Sequence, residues 1–315
     1  MQDKKHAADH RPWRRMAFAA LVIAITTPGS AIAAPKKKQI QPAPEATVPE
    51  VPGDDIFGFT SATDIGNAGD IGVASELDGR LRKRDGSYSA YGTKHEIGYT
   101  FAENWWIGGS AFASRHRIHN VTDLADVSAT AFDGLSFEIQ HRLLKRSAGN
   151  PFAVTLAVEP RWGRIDDVSG LRSENYFADF KILLDAPIVA DKVFWAANAV
   201  WTVQRAQDTE NRSIWLDSSE SVLSTALTFQ FSPKIFFGVE ARHLAFYDRG
   251  SLRDRTGYAV YVGPTMLWKI TDKVVFNATY QPQVSGRSID NPDLRYDLDN
   301  FERAQFRAKL SVALN

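Results

Sequence analysis

The sequence predicts an all-β protein, a transmembrane antiparallel up-and-down β-barrel of about twelve strands behind a disordered N-terminal leader. Three observations predict it: period-two alternation recurs along the chain, tight turns alternate with longer polar loops, and aromatic residues gather at the two ends of the alternating segments. A β-sandwich has no reason to alternate its connection lengths. Nor does it need strands longer than the usual mode of about 5–6 residues.

The N-terminal elements come first. Lys4, Lys5, Arg11, Arg14 and Arg15 form a basic region, Met16 to Thr26 an apolar run, and Ala31-Ile-Ala33 an A-x-A cleavage site, so residues 1–33 read as a cleavable signal peptide. The apolar run falls short of the about 20 residues a transmembrane helix needs. Arg14-Arg15 hints at a twin-arginine signal, but Met-Ala-Phe follows at a poor spacing. Residues 34–53 are proline-rich and charged, with little to bury, and read as a disordered periplasmic leader. Residues 54–69, "DDIFGFTSATDIGNAG", form a short pre-barrel segment, either a short strand or a peptide tucked into the barrel mouth. Asp54, Asp55, Asp64, Asn67 and Asp70 are oxygen ligands of the kind Ca²⁺ uses, but their spacing misses the EF-hand pattern and ordinary turn chemistry is favoured.

The barrel itself is expected over 70–315. Its strands read as 70–83, 87–101, 105–118, 127–145, 152–165, 174–186, 193–205, 214–231, 235–248, 257–270, 274–286 and 300–314. Tight turns fall at 102–104, 147–150, 190–192, 232–234 and 271–273; longer loops fall near 119–126, 166–173, 206–213, 249–256 and 287–299. Asp85-Gly86, a type I′ signal, is the short connection on the long-loop side. Phe101, Trp105, Trp106, Phe152, Phe194, Trp195, Phe229, Phe231, Phe236, Phe237, Trp268 and Phe276 sit beside the short turns. Tyr88, Trp162, Tyr176, Trp201, Tyr247, Tyr258 and Tyr280 lie toward the long loops. Two such bands match the aromatic girdles of an outer-membrane barrel.

In that setting the apolar face meets lipid and the polar face a wet lumen. Leu135, Phe137, Ile139 and Leu143 then point outward, and Ser136, Glu138, Gln140 and Arg142 inward. The lumen-lining candidates are Glu76, Asp78, Arg80, Arg82, Lys94, Glu96, Glu138, Arg142, Glu159, Arg161, Asp179, Lys181, Glu240, Arg242, Arg307 and Lys309. Both signs are interleaved, so no one-sided ring selects for anions or cations. Closing the sheet makes the first and last strands antiparallel neighbours. An index sum of 385 sets Asp78 opposite Arg307 and Glu76 opposite Lys309 without turning charge toward lipid.

The stretches "FGFTSATDIGNAGD", "DGSYSAYGTKHEIGYT" and "NFERAQFRAKLSVALN" resemble the uncharacterised proteobacterial outer-membrane β-barrels grouped with the MetA-pathway-of-phenol-degradation and porin-like transporters, over about Ile56 to Asn315. The resemblance implies a barrel fold and an outer-membrane address, and little about substrate. Barrels of this kind commonly end in an aromatic residue read by the insertion machinery; this chain ends Leu314-Asn315.

Charge and composition remove several function classes. Of 37 basic and 37 acidic residues, five and two precede position 34, leaving 32 against 35, a balance that argues against a nucleic-acid partner. The absence of cysteine removes disulfides, thiolate metal sites and a cysteine nucleophile. No P-loop, G-x-S-x-G or Rossmann fingerprint is present, and no cofactor is implied. Gly108-Gly109 reads as barrel curvature. The mature histidines His95, His119, His141 and His243 are dispersed, without metal-ligand spacing. Outer-membrane lipid, the insertion machinery and small solutes are the expected partners. The residues point to a passive, porin-like channel for small polar or amphipathic solutes. The alternatives are a structural barrel whose lumen is closed and cross-linked by charge, and an outer-membrane lipid hydrolase using Ser114 and His116, which share a face near the outer leaflet.

Overall fold

The computed structural model describes residues 51–53 and 56–315. The expected signal peptide, nearly all of the leader, and Asp54 and Asp55 lie outside the described residues. Twelve strands follow one another: β1 (Ile71–Leu81), β2 (Ser87–Ala102), β3 (Trp105–His119), β4 (Val127–Leu144), β5 (Ala153–Ile165), β6 (Arg172–Val189), β7 (Val193–Gln207), β8 (Trp215–Ser232), β9 (Ile235–Tyr247), β10 (Arg255–Lys269), β11 (Val274–Ser288) and β12 (Ala304–Ala313). Each pairs antiparallel with its sequence neighbours, and β12 returns to β1 to close the barrel.

Alternation decides which side of each strand is wet. Leu135, Phe137 and Leu143 stand exposed on the outer wall, as do Leu156, Phe180, Leu223 and Val239, while Thr155, Asn198, Glu240 and Arg242 are buried inside. A wall of exposed leucine and phenylalanine around a polar interior inverts the soluble arrangement and suits hydrocarbon outside. Leu223, midway along β8, tests this directly. Leu223→Arg is expected to destabilise the barrel refolded in lipid vesicles by about 2–4 kcal/mol, measured by chemical denaturation, because the charge enters the bilayer midplane.

The seam closes in the expected register, with Glu76 opposite Lys309 and Asp78 opposite Arg307. An ion pair across it runs diagonally: Arg307 Nη2 lies 2.6 Å from Glu76 Oε2. A long guanidinium stem reaches the diagonal neighbour as readily as the opposite one.

Three local expectations are corrected. Arg82 takes a φ of +64° just beyond β1, which flips the alternation; it is exposed, and Lys83 is buried in its stead against the carbonyl of Asp299. Strand β12 begins at Ala304 rather than 300, because Phe301 and Glu302 are drawn inward with the β11–β12 loop. Among the aromatics expected in the girdles, Phe194, Phe236 and Tyr88 are buried inside. Trp106 also turns inward, its ring filling the space where side chains at Gly98 and Gly108 would begin. Gly108 therefore makes room for an indole, beyond any contribution to curvature.

Candidate functional site

The lumen is divided into three levels. At the short-turn end, residues 56–65 of the pre-barrel segment lie inside the barrel, a peptide tucked in the mouth and not a strand. Ile56 and Phe57 pack with Phe194, Phe236 and Leu267. The chain then runs along the inner wall on polar groups. Glu240 Oε2 accepts from Phe59 N at 2.8 Å, and Glu240 Oε1 accepts from Thr60 N and Thr60 Oγ1, each at 2.5 Å. Asp185 Oδ2 accepts from Thr63 N at 2.7 Å and Thr63 Oγ1 at 2.8 Å. Asn277 and Thr228 donate to the carbonyls of Phe57 and Ile56, Asn198 to Ser61, Thr155 to Thr63, Thr100 to Ile65, and Arg142 to Gly66. The Arg242 guanidinium stacks 3.6 Å from the Phe59 ring centroid.

Two fully buried carboxylates, Glu240 and Asp185, thus serve backbone N–H groups of an irregular segment that would otherwise be unpaired. Glu240 also accepts from Gln281 Nε2, and Asp185 is bridged by Arg146. Of the Ca²⁺ candidates, those among the described residues make turns: Asp64 accepts from Gly66 N at 3.1 Å and Asp70 from Asn67 N at 2.7 Å.

Beside this segment and extending above it lies a cavity of about 560 Å³. Its lining begins at the short-turn rim with Ile71, Asp272, Lys273 and Ala313, passes Phe59, Ser61 and Asp64, and rises to Glu76, Lys94, Glu96, Glu138, Asp179, Lys181, Arg242, Arg307 and Lys309. On the wall formed by β2, β4, β5 and β6, Lys94 bridges Glu96 at 2.8 Å and Glu159 at 3.3 Å, and Lys181 bridges Glu159 at 2.5 Å and Glu138 at 3.3 Å. Asp179 accepts from Thr202 Oγ1 at 2.7 Å. On the facing wall Arg242 donates to Gln281 at 2.7 Å and Gln305 at 2.5 Å, and Arg307 reaches Glu76 and the carbonyl of Gly58.

At the long-loop end two loops fold inward. Arg80 holds both: it donates to the carbonyl of Asp167 in the β5–β6 loop, and its Nη1 lies 4.0 Å from Glu302 Oε1 beside the β11–β12 loop. Tyr88 Oη donates to the Val168 carbonyl at 3.1 Å, and Tyr261 Oη to the Glu302 carbonyl at 2.6 Å. Arg161 bridges Asp133 at 2.6 Å and approaches Asp167 at 3.9 Å. In the β11–β12 loop, burial raises the Asp297 carboxyl above its ordinary range. Burial acts the same way on Asp299, but Asn291, Ser288 and Arg84 outweigh it and hold that carboxyl low.

Fifteen of the sixteen sequence candidates stand on strands, facing inward at these levels, and Arg82 is the one turned away. Several participants were missed. Asp185 shares the parity of Asp179 and Lys181 and was open to the same reading; Glu220, inward on β8, likewise shares the parity of Ser224. Asp133 sits at a bulge between β3 and β4 that breaks the alternation. Glu302 and Asp167 lie off the strands, where no periodicity marks them.

The Ser114–His116 pair also faces inward, away from lipid. His116 Nε2 lies 3.1 Å from the Asp167 carbonyl, and Ser114 Oγ has no hydrogen-bond partner among the described residues. The remaining histidines are spread over the outer wall and rim: His141 stacks on Trp105, His243 on Tyr258, and His119 meets Asp126 at 2.6 Å. Among the described residues no group of three or more His, Asp or Glu is placed to hold a metal.

Residues 49–314 match the family of unknown function DUF6662. No curated protein is significantly similar in sequence. Among solved structures, the COG4313 outer membrane channel from Pseudomonas putida F1 superposes with a TM-score of 0.54 at 11% identity, over 80% of this chain and 97% of that one. The NanC porin gives 0.46 at 10% identity over 76% and 98%, and the KdgM porin in complex with disordered oligogalacturonate 0.45 at 8% over 78% and 99%. At these identities the likeness is one of fold.

Proposed function

This chain belongs to the family of unknown function DUF6662, and from that premise we propose that it is an outer-membrane, porin-like channel that passes small polar or amphipathic solutes passively. Residues 1–33 direct its export, residues 34–53 form a leader on the periplasmic side, and lipid, the insertion machinery and the solute are its partners. One observation carries the reading: a cavity of about 560 Å³, walled by charges of both signs, runs from the short-turn rim to mid-barrel. Such a wall holds water and dipolar solutes without strong preference for either ion sign. Glu76, Lys94, Glu96, Glu138, Asp179, Lys181, Arg242, Arg307 and Lys309 would supply the charges of that wall.

A second reading, a structural barrel with a closed lumen, draws on the two loops that Arg80 ties across the outer end. Planar-bilayer recording on the refolded protein separates them. Discrete conductance steps with weak ion selectivity are expected; silence at every potential would favour the closed barrel. Ser114→Ala and His116→Ala are expected to leave the conductance in place, and a lipid-hydrolysing activity lost in either variant would instead establish the enzyme.

A further inference from the structure

Lysine and arginine are segregated between the two rims. The exposed lysines Lys145, Lys192, Lys234 and Lys273 all belong to the short-turn rim, whereas exposed basic residues at the long-loop ends are arginines. The distinction matters chemically, since a planar guanidinium grips phosphate with two parallel hydrogen bonds and an ammonium offers a point charge.

One run of arginines follows the outer wall from β3 to β7. Arg115 and Arg117 alternate with the inward Ser114 and His116, Arg164 with Gly163 and Ile165, and Arg172 precedes the inward Ser173. With strands about 4.8 Å apart, the stripe spans roughly 20 Å. Its depth is fixed by the aromatics: Arg164 follows the outward Trp162 by one alternation, Arg115 stands opposite Tyr91, and Arg172 lies beyond Tyr176. At the rim, Arg164, Arg172 and Arg212 line a pocket of about 230 Å³ with Ser173, Glu174 and Gln207. Arg212 Nη2 donates to the Arg172 carbonyl at 3.0 Å, fixing that corner.

The chain neutralises this stripe in part, Arg205 on β7 lying 3.9 Å from Asp217. Among the described residues, Arg115, Arg117, Arg164 and Arg172 have no carboxylate within ion-pairing distance, while the inward Arg161 has Asp133. Glu174 is the single carboxylate beside the three guanidinium groups of the pocket. Outward arginines are costly at the bilayer midplane and nearly neutral near the interface, so this depth suits them best where an anion is supplied by the membrane.

We propose that this rim binds the phosphorylated head group of an outer-leaflet glycolipid, with Arg164, Arg172 and Arg212 as the phosphate pocket and Arg115 and Arg117 as its flank. The test is native mass spectrometry of the full chain in detergent, titrated separately with bisphosphorylated lipid A, dephosphorylated lipid A and inorganic phosphate. The bisphosphorylated lipid is expected to bind at least about tenfold more tightly than its dephosphorylated form. Arg164→Gln/Arg172→Gln/Arg212→Gln should erase that preference, and Lys145→Gln/Lys192→Gln/Lys234→Gln should keep it, with heat-modifiable migration confirming that both variants fold. Equal binding of the dephosphorylated lipid, or an unchanged preference in the arginine variant, overturns the proposal. Displacement of the lipid by millimolar inorganic phosphate overturns it as well, assigning a free-anion site.

Discussion

In the channel proposed above, Arg80→Ala is expected to raise the frequency of opening sharply, because the two inward loops that it fastens occupy the outer end. The cavity already reaches the short-turn rim beside the inner segment, whereas above Arg242 the lumen is filled by the two inward loops that Arg80 fastens. Removing the guanidinium deletes its bond to the Asp167 carbonyl and leaves Glu302, whose side chain is 3% exposed, without that partner. A hydrogen bond to a charged group contributes about 1.5–3 kcal/mol. Since about 1.4 kcal/mol is a tenfold change in population, opening should become roughly 10–100 times more frequent. Single-channel recording of the two proteins at matched potential is the measurement. Unchanged open probability would mean that the loops do not limit passage, or that the remaining ties from Tyr88 and Tyr261 suffice to hold them.

Glu240→Ala should release the inner segment from the wall. The carboxylate accepts three hydrogen bonds from Phe59 and Thr60 and one from Gln281, and it is 1% exposed. Breaking a buried, hydrogen-bonded charge of this kind typically costs about 3–5 kcal/mol, which shifts docking by two or more powers of ten. The cysteine-free sequence provides a clean reporter. In an Ala62→Cys background, where the native side chain is 3% exposed, a membrane-impermeant thiol reagent added on the short-turn side should label the Glu240→Ala protein roughly 100 times faster or more. Equal rates would show that Asp185 and the apolar packing of Ile56 and Phe57 hold the segment unaided. Together the two variants separate the levels: the first acts on gating and the second on access from the periplasmic side.

Strand positions, facing and the closing register were legible because one physical rule repeats along the chain. A strand between hydrocarbon and water must alternate, and a slip at the seam between β1 and β12 would turn Glu76, Asp78, Arg307 and Lys309 toward lipid. Glu240 was legible as an inward charge, yet its work was not, since its partners are backbone N–H groups that any sequence carries. The segment containing Phe57 and Phe59 has no period to follow, and what places it is the set of acceptors and donors lying far away in the chain. Arg82 misled for a related reason: one residue at positive φ reverses the facing at Arg82 and Lys83 without changing the pattern of residue types. Phe194 and Phe236 stand at girdle height but on the inner face, where they cover Ile56 and Phe57 rather than meet head groups.

The inner segment has a topological consequence. Pro52 and Gly53 line the cavity with Asp272 and Lys273 of a short turn, and Asp70 leads directly into the start of β1 at that same rim. The described residues from Val51 to Asp70 thus begin and end at one mouth, a loop dipped into a tube. It can therefore be withdrawn and returned with all twelve strand pairs intact, so its exchange is separable from unfolding and from the order in which the wall assembles.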